Sequence, residues 1–235
     1  MSPHTTILVL CIILGVVILI VGLGARLYRS GGNRPDKHQQ LFLDSGFQEA
    51  PERTDDLTGR MKTLHHQWTE FHRLDGVKRK SEWGYDLFVF DLRDSGGHTT
   101  GIQPDQALIL SPDFKLPRFT MFPFPKVQGT GFLASMENMA ASYISSKIGV
   151  QVPFPDFPEF DKRYLVCGDD EGGVRACFSA SRLGRLAGMQ GLHLEGRADA
   201  LLYSGSLDGQ AGRAEPGNPG DLLQTAKTLF DIFKE

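Results

Sequence analysis

Residues 7 to 25, ILVLCIILGVVILIVGLGA, are 19 consecutive positions without a charge. As a helix rising 1.5 Å per residue the run is about 28 Å long, against about 30 Å for the hydrocarbon core of a bilayer. Fourteen of its residues are Ile, Leu or Val. Each favours insertion by about 0.3 to 0.6 kcal/mol at the helix centre, so together they favour it by about 6 kcal/mol. The run predicts a single transmembrane helix, with the lipid bilayer as the partner of residues 7–25.

A cleaved signal peptide would need a basic leader and a shorter apolar stretch, and MSPHTT holds no Lys or Arg. A lipoprotein reading of Cys11 fails because Leu10 stands where a small residue is needed, so Cys11 reads as an apolar residue of the span. Gly15, Gly22 and Gly24 lack GxxxG spacing, and helix pairing is not expected. Arg26, Arg29, Arg34 and Lys37 follow the span and no cation precedes it. The positive-inside rule then places the large C-terminal body in the cytoplasm. The same cations could attract anionic head groups, but the topology signal accounts for them more simply.

The net charge of −3 conceals an asymmetry. Four cations against Asp36 give residues 1–39 a balance of +3, which leaves −6 on the remaining 196 residues. An acidic body does not offer the positive field that a phosphate backbone requires, so no nucleic-acid partner is expected. With 40% hydrophobic residues the chain can bury a core, which excludes a disordered class.

The pattern divides the chain into a tail (1–6), the span (7–25), a basic juxtamembrane tether (26–40) and a soluble domain (41–235) with two candidate subdomains, 41–125 and 150–235. RSGGNRPDKHQQ (29–40) reads as flexible tether. From Asp55, the residues Leu57, Met61, Leu64, Trp68 and Phe71 recur at helical spacing and predict an amphipathic helix reaching Phe71. Strand-like runs follow in VKRKSEW, YDLFVFDLR, QALILS and RFTMFPF, separated by turn-rich connections, and suggest a four-stranded meander.

FLASMENMAASYISSKI (132–148) is helical in spacing, and the alternate prolines of VPFPDFPEF argue for an extended connector. The last third offers a strand at RYLVC, helical spacing around 174–188, strands at LHLEG and ALLYSGS, the loop DGQAGRAEPGNPG, and a final helix from Asp221. Antiparallel strands beside separate helices predict an α+β class.

Candidate chemistry is sparse. His65, His66 and His72 would ride on the helix that starts near Asp55. His65 and His72, seven residues apart, would lie about 10 Å apart along its axis, too far for one ion. His66 and Glu70 could supply two ligands, short of a full set. GTGFLA (129–134) fits a dinucleotide fingerprint, but FPFPKVQ before it is not the buried parallel strand that the fingerprint needs. No P-loop, HExxH, EF-hand loop or GxSxG is present. The basic VKRK (77–80) reads as a solvated strand face.

YLVCGDDEGGVRACF (164–178) carries two of the three cysteines. Cys167 and Cys177 are ten apart, not at zinc-pair spacing, and Asp169, Asp170 and Glu171 lack the alternation of a calcium loop. A reducing cytoplasm disfavours a disulfide between them. A thiol nucleophile would need an activating histidine, for which His193 and His98 are the nominal partners. Two ordinary structures fit the stretch. One is a hairpin turning through DDEG. The other is a strand followed by a helix capped by Asp169 or Asp170, with Val174, Cys177 and Phe178 facing the core. SASRLGRLAGM continues the helical pattern and favours the second.

FPEFDKRYLVCGDDEGGVRACFSASRL, GVKRKSEWGYDLFVFDLRD and LPRFTMFP resemble stretches of a family of bacterial membrane-anchored proteins of uncharacterised function, over most of residues 40–207. The resemblance implies one α+β body behind a membrane helix or short leader, and carries no activity or site residues. No catalytic, cofactor-binding or metal residue is assigned, and no cofactor is expected. The leading expectation is a single-pass membrane-anchored, non-catalytic module that binds a protein or small ligand at the inner membrane face. The alternatives are a membrane-tethered, hydrolase-like enzyme and a structural subunit of a membrane complex.

Overall fold

A computed structural model of the chain describes residues 34–95, 101–123, 149–204 and 218–234. The expected span 7–25 with Cys11, the GTGFLA motif, the helix at 132–148, His98 and most of the loop at 208–220 lie outside the described residues. Among the described residues no helix is long and apolar enough to cross a membrane.

The chain forms two compact units, Met1–Asp44 and Ser45–Glu235. In the first, α1 (Arg34–Asp44) occupies part of the stretch expected to be tether. Pro35 sits in its first turn, where a missing N–H costs nothing, and Gln40 Nε2 donates to Asp44 Oδ1 one turn on.

The second unit is α+β. Its strands are β1 (Gln48–Glu49), β2 (His72–Glu82), β3 (Tyr85–Asp94), β4 (Gly101–Leu110), β5 (Leu116–Pro123), β6 (Val150–Gln151), β7 (Tyr164–Gly168), β8 (His193–Ala198) and β9 (Ala200–Ser204). They build one antiparallel sheet in the order β1-β2-β3-β4-β9-β8-β5-β7-β6. Strands from before and after residue 150 therefore interleave. The expected four-strand meander is real only for β2 to β4: β5 pairs with β7 and β8, while the hairpin β8–β9 closes onto β4. Consecutive runs in sequence need not be neighbours when a later hairpin supplies the better edge.

Among the described residues the helices of this unit are α2 (Thr54–Leu64), α3 (Pro158–Asp161), α4 (Glu171–Cys177), α5 (Ala180–Ala187) and α6 (Pro219–Phe233). Three local expectations are corrected. The helix from Asp55 stops at Leu64 and His65 is its extended C-cap, so Trp68 and Phe71 lie beyond it. Trp68 packs on the core from a turn and Phe71 is 47% exposed. The proline-rich connector does form a turn of helix, α3, because Pro158 occupies its first position, where proline is tolerated. The helical stretch at 174–188 is two helices, broken at Phe178 and restarted by Ser179, whose Oγ accepts from Arg182 N–H.

Cross-strand register sorts the faces. Phe88, Leu108, Leu202, Glu195, Thr120 and Cys167 form one row across the sheet. Directly paired residues share a face, so Glu195 stands on the side where Leu57, Met61 and Leu64 of α2 pack over Phe88, Leu108 and Leu202. Phe119 pairs with Gly196 of β8 and Gly168 of β7 and meets Phe178 at 4.9 Å and Phe233 at 5.8 Å. That is the opposite face, which α4 and α6 reach. Helices thus cover both sides of the sheet, and a polar stripe along β8 has no water to face.

A buried histidine-glutamate centre

Glu195 is 1% exposed. A bare carboxylate in such a place would cost several kcal/mol, so its partners decide whether the fold is tenable. His65 Nδ1 lies 2.6 Å from Glu195 Oε1, and an ionised carboxylate only accepts, so the imidazole donates. The His66 backbone N–H donates to Oε2 at 2.7 Å. His66 Nδ1 is 3.0 Å and His193 Nε2 3.5 Å from Oε1.

The local sequence explains how these groups meet. His65 N–H makes the last i to i−4 bond of α2, to Met61 O at 2.8 Å. The next N–H, of His66, goes to Glu195 instead of the helix, and the chain leaves the helical path there. The buried carboxylate is the physical reason that α2 ends earlier than its apolar spacing implies. On β8, His193 and Glu195 are two apart and so project from one face. Phe122 stacks on His193 at 4.8 Å and 22°, and meets His66 edge-on at 5.2 Å.

Burial pushes the Glu195 carboxyl upward, but its contacts with His65 and His66 outweigh it and hold it well below the usual carboxylate range. Burial drives His193 down to about 4, against the pull of Glu195, so its imidazole is neutral at physiological pH. Burial also lowers His72, against the opposing pull of Asp94. Among the described residues, the buried atoms His65 Nε2, His66 Nδ1 and both ring nitrogens of His193 have no hydrogen-bond partner. Buried polar atoms without partners are rare and call for an explanation.

Ligand atoms of His65, His66 and Glu195 all lie within 4.8 Å of one another, the one such group among the described residues. A single ion could be shared by groups at that spacing once they draw in slightly. A nitrogen and carboxylate set without thiolate suits first-row divalent ions such as Zn2+.

This arrangement overturns the helical bookkeeping of the histidines. His72 belongs to β2, not to a common helix, and its ring comes to 6.1 Å from that of His65. Its Nδ1 is engaged by Thr69 N–H at 3.0 Å and Thr69 Oγ1 at 2.8 Å. The partner of His66 is Glu195, in place of the Glu70 that the spacing offered. In the sequence Glu195 reads as solvated, because LHLEG alternates and alternation marks a strand with one solvated face. The legible signal was the His193–Glu195 pair at strand spacing.

The thiol reading dissolves. Cys167 and Cys177 are buried and free, and neither belongs to a ligand group among the described residues. Burial pushes the Cys167 thiol up to about 11 and raises Cys177 despite Arg182 Nη1 at 3.5 Å. His193, the nominal activator, sits beside Glu195 instead. The stretch 164–178 is strand then helix: Asp170 holds the N-cap position, but its side chain makes no capping bond, and Val174 N–H bonds its carbonyl at 2.9 Å. Asp169 pairs with Arg118 at 3.0 Å.

Comparisons of the chain with protein-family models, with curated proteins and with solved structures find no match.

Proposed function

We propose that the chain is a single-pass membrane-anchored module, non-catalytic, that binds a divalent transition-metal ion in its α+β body. The observation that carries this reading is the His65, His66 and Glu195 group, interior and within 4.8 Å. The anchor rests on the 19-residue apolar run, and the cytoplasmic placement of the body on the four cations that follow it. Enclosure supports holding an ion over turning over a substrate, since a catalytic ion keeps an open position.

The test uses the full chain in detergent, freed of metal by a chelator and titrated with Zn2+ by calorimetry. One ion per chain is expected, with stabilisation of about 2.7 kcal/mol when free Zn2+ is 100 times its Kd. The double variant His65→Ala/His66→Ala should lose binding. No binding by the parent chain would overturn the reading. A reporter fused after Glu235 should be active only in the cytoplasm; activity on the far side would reverse the orientation.

A membrane-tethered hydrolase-like enzyme is the second reading. His65, oriented by Glu195 and left with an unpartnered Nε2, has the form of a general base held by a third group. Turnover in a substrate screen that His65→Ala abolishes would favour it. A structural role in a membrane complex would show instead as copurification of the full chain with fixed partners and no ion.

A further inference from the structure

We infer that His193 is the fourth ligand of the centre, which makes it a closed tetrahedral site of three imidazoles and one carboxylate, of the zinc class. The inference rests on the metal-binding reading and adds to it the ligand, the geometry and the kind of ion.

The argument is geometric. Bonds of about 2.0–2.1 Å from a tetrahedral ion place its ligand atoms about 3.3 Å apart. Taking Glu195 Oε1 as one corner, His65 Nδ1, His66 Nδ1 and His193 Nε2 stand at 2.6, 3.0 and 3.5 Å from it. The three separations from Oε1 scatter around the tetrahedral edge. His65, His66 and Glu195 are mutually within 4.8 Å while His193 stands outside that group, so a shared ion requires the His193 ring to move inward by more than an ångström. The rings agree. Two imidazoles on one tetrahedral ion have centroids about 5 Å apart, and His65–His66 and His66–His193 are at 5.3 and 5.6 Å.

The second observation is independent of spacing. The His193 side chain is 5% exposed, yet among the described residues neither ring nitrogen has a hydrogen-bond partner, and a bond to the ion accounts for Nε2. His66 Nδ1 is likewise buried without one, although it lies 3.0 Å from Oε1. In the loaded site each imidazole offers the lone pair of the nitrogen nearest Oε1 and carries its proton on the other. His65 then keeps its proton at Nε2, His66 at Nε2 and His193 at Nδ1. His193 is fixed for this task by the stacked Phe122 ring and by its place two residues from Glu195 on β8.

Three imidazoles and a single carboxylate exclude a Ca2+ or Mg2+ site, which needs six or more oxygens, and leave no corner for substrate water. The site therefore retains an ion that ties the end of α2 to β8.

The experiment loads the full chain with Co2+. Four-coordinate Co2+ absorbs strongly in the visible, six-coordinate Co2+ weakly, and added Zn2+ should displace it. The informative variant is His193→Cys: a thiolate at that position adds a sulfur-to-cobalt charge-transfer band in the near ultraviolet only if residue 193 touches the ion. The strong visible bands in the parent and the new band in His193→Cys are expected. His193→Ala should weaken Zn2+ binding by about 100-fold or more, beyond the usual cost of disturbing an outer-shell partner.

A six-coordinate spectrum, or His193→Cys that binds Co2+ without the band, overturns the inference while leaving the metal reading intact. A parent chain that binds no ion defeats the metal reading itself. Should His193→Cys not fold, X-ray absorption at the zinc edge of the parent decides: three imidazoles support His193 as a ligand, two overturn it.

Discussion

His65 Nδ1 and Glu195 Oε1, 130 positions apart in the chain, are 2.6 Å apart in the fold. The contact joins the end of α2 to the middle of the sheet and replaces the solvation that Glu195 loses. Glu195→Gln keeps the shape and removes the charge. In metal-free protein it should lower the unfolding free energy by about 1.5–3 kcal/mol, the worth of hydrogen bonds to a charged group. Urea unfolding checks this; a loss under about 0.5 kcal/mol, the scale of an unimportant surface change, would contradict the contact.

Gly196 sits under the Phe119 ring, and a Cβ there would overlap Phe119 Cε1. The ring cannot swing away, because Phe178 and Phe233 close on it at 4.9 and 5.8 Å. Gly196→Ala should cost about 1–3 kcal/mol by overpacking. The double variant Gly196→Ala/Phe119→Leu should recover part of that loss in the same unfolding assay.

Asp86 is predicted to link stability to pH. Burial raises its carboxyl, but hydrogen bonds from Ser81 and Arg79 and the Arg79 charge hold it below its ordinary 3.8. A depressed folded-state value gives stability that is present above 3.8 and disappears as pH falls through the folded value. The pair is partly exposed, so Asp86→Asn should cost at most about 1 kcal/mol near pH 7 and close to nothing near pH 2. Chemical unfolding at the two pH values tests the sign; an equal cost at both would refute it.

Cys167 and Cys177 should resist alkylation in the folded protein and react once it unfolds. Burial withholds both sulfurs, and with its thiol near 11, Cys167 is about one part in a thousand thiolate at pH 8. Mass spectrometry of iodoacetamide-treated peptides reads both sites. Rapid native labelling of either would reopen a thiol chemistry.

The periodic elements were legible without a structure. The apolar spacing of Leu222, Ala226, Leu229 and Phe230 marks α6, and all four are buried there. The short apolar, aromatic-rich run within Tyr85–Asp94 marks β3. Order within the sheet was not legible, because the insertion of β9 and β8 between β4 and β5 depends on long-range pairing that no local pattern encodes. Helix length was misread at His65 for a related reason: propensity and spacing allowed the helix to continue, and a carboxylate from β8 took the next N–H.

The sequence by itself determined the α+β class, the apolar run, the charge asymmetry and most element positions, because these follow from composition and from periods of 2 and 3.6 residues. Only the tertiary structure decided that Glu195 and three histidines share one interior point. Period 2 states which residues of β8 share a face. Whether that face meets water or α2 depends on what the rest of the chain lays over it, and here α2 turns a polar stripe into a buried centre.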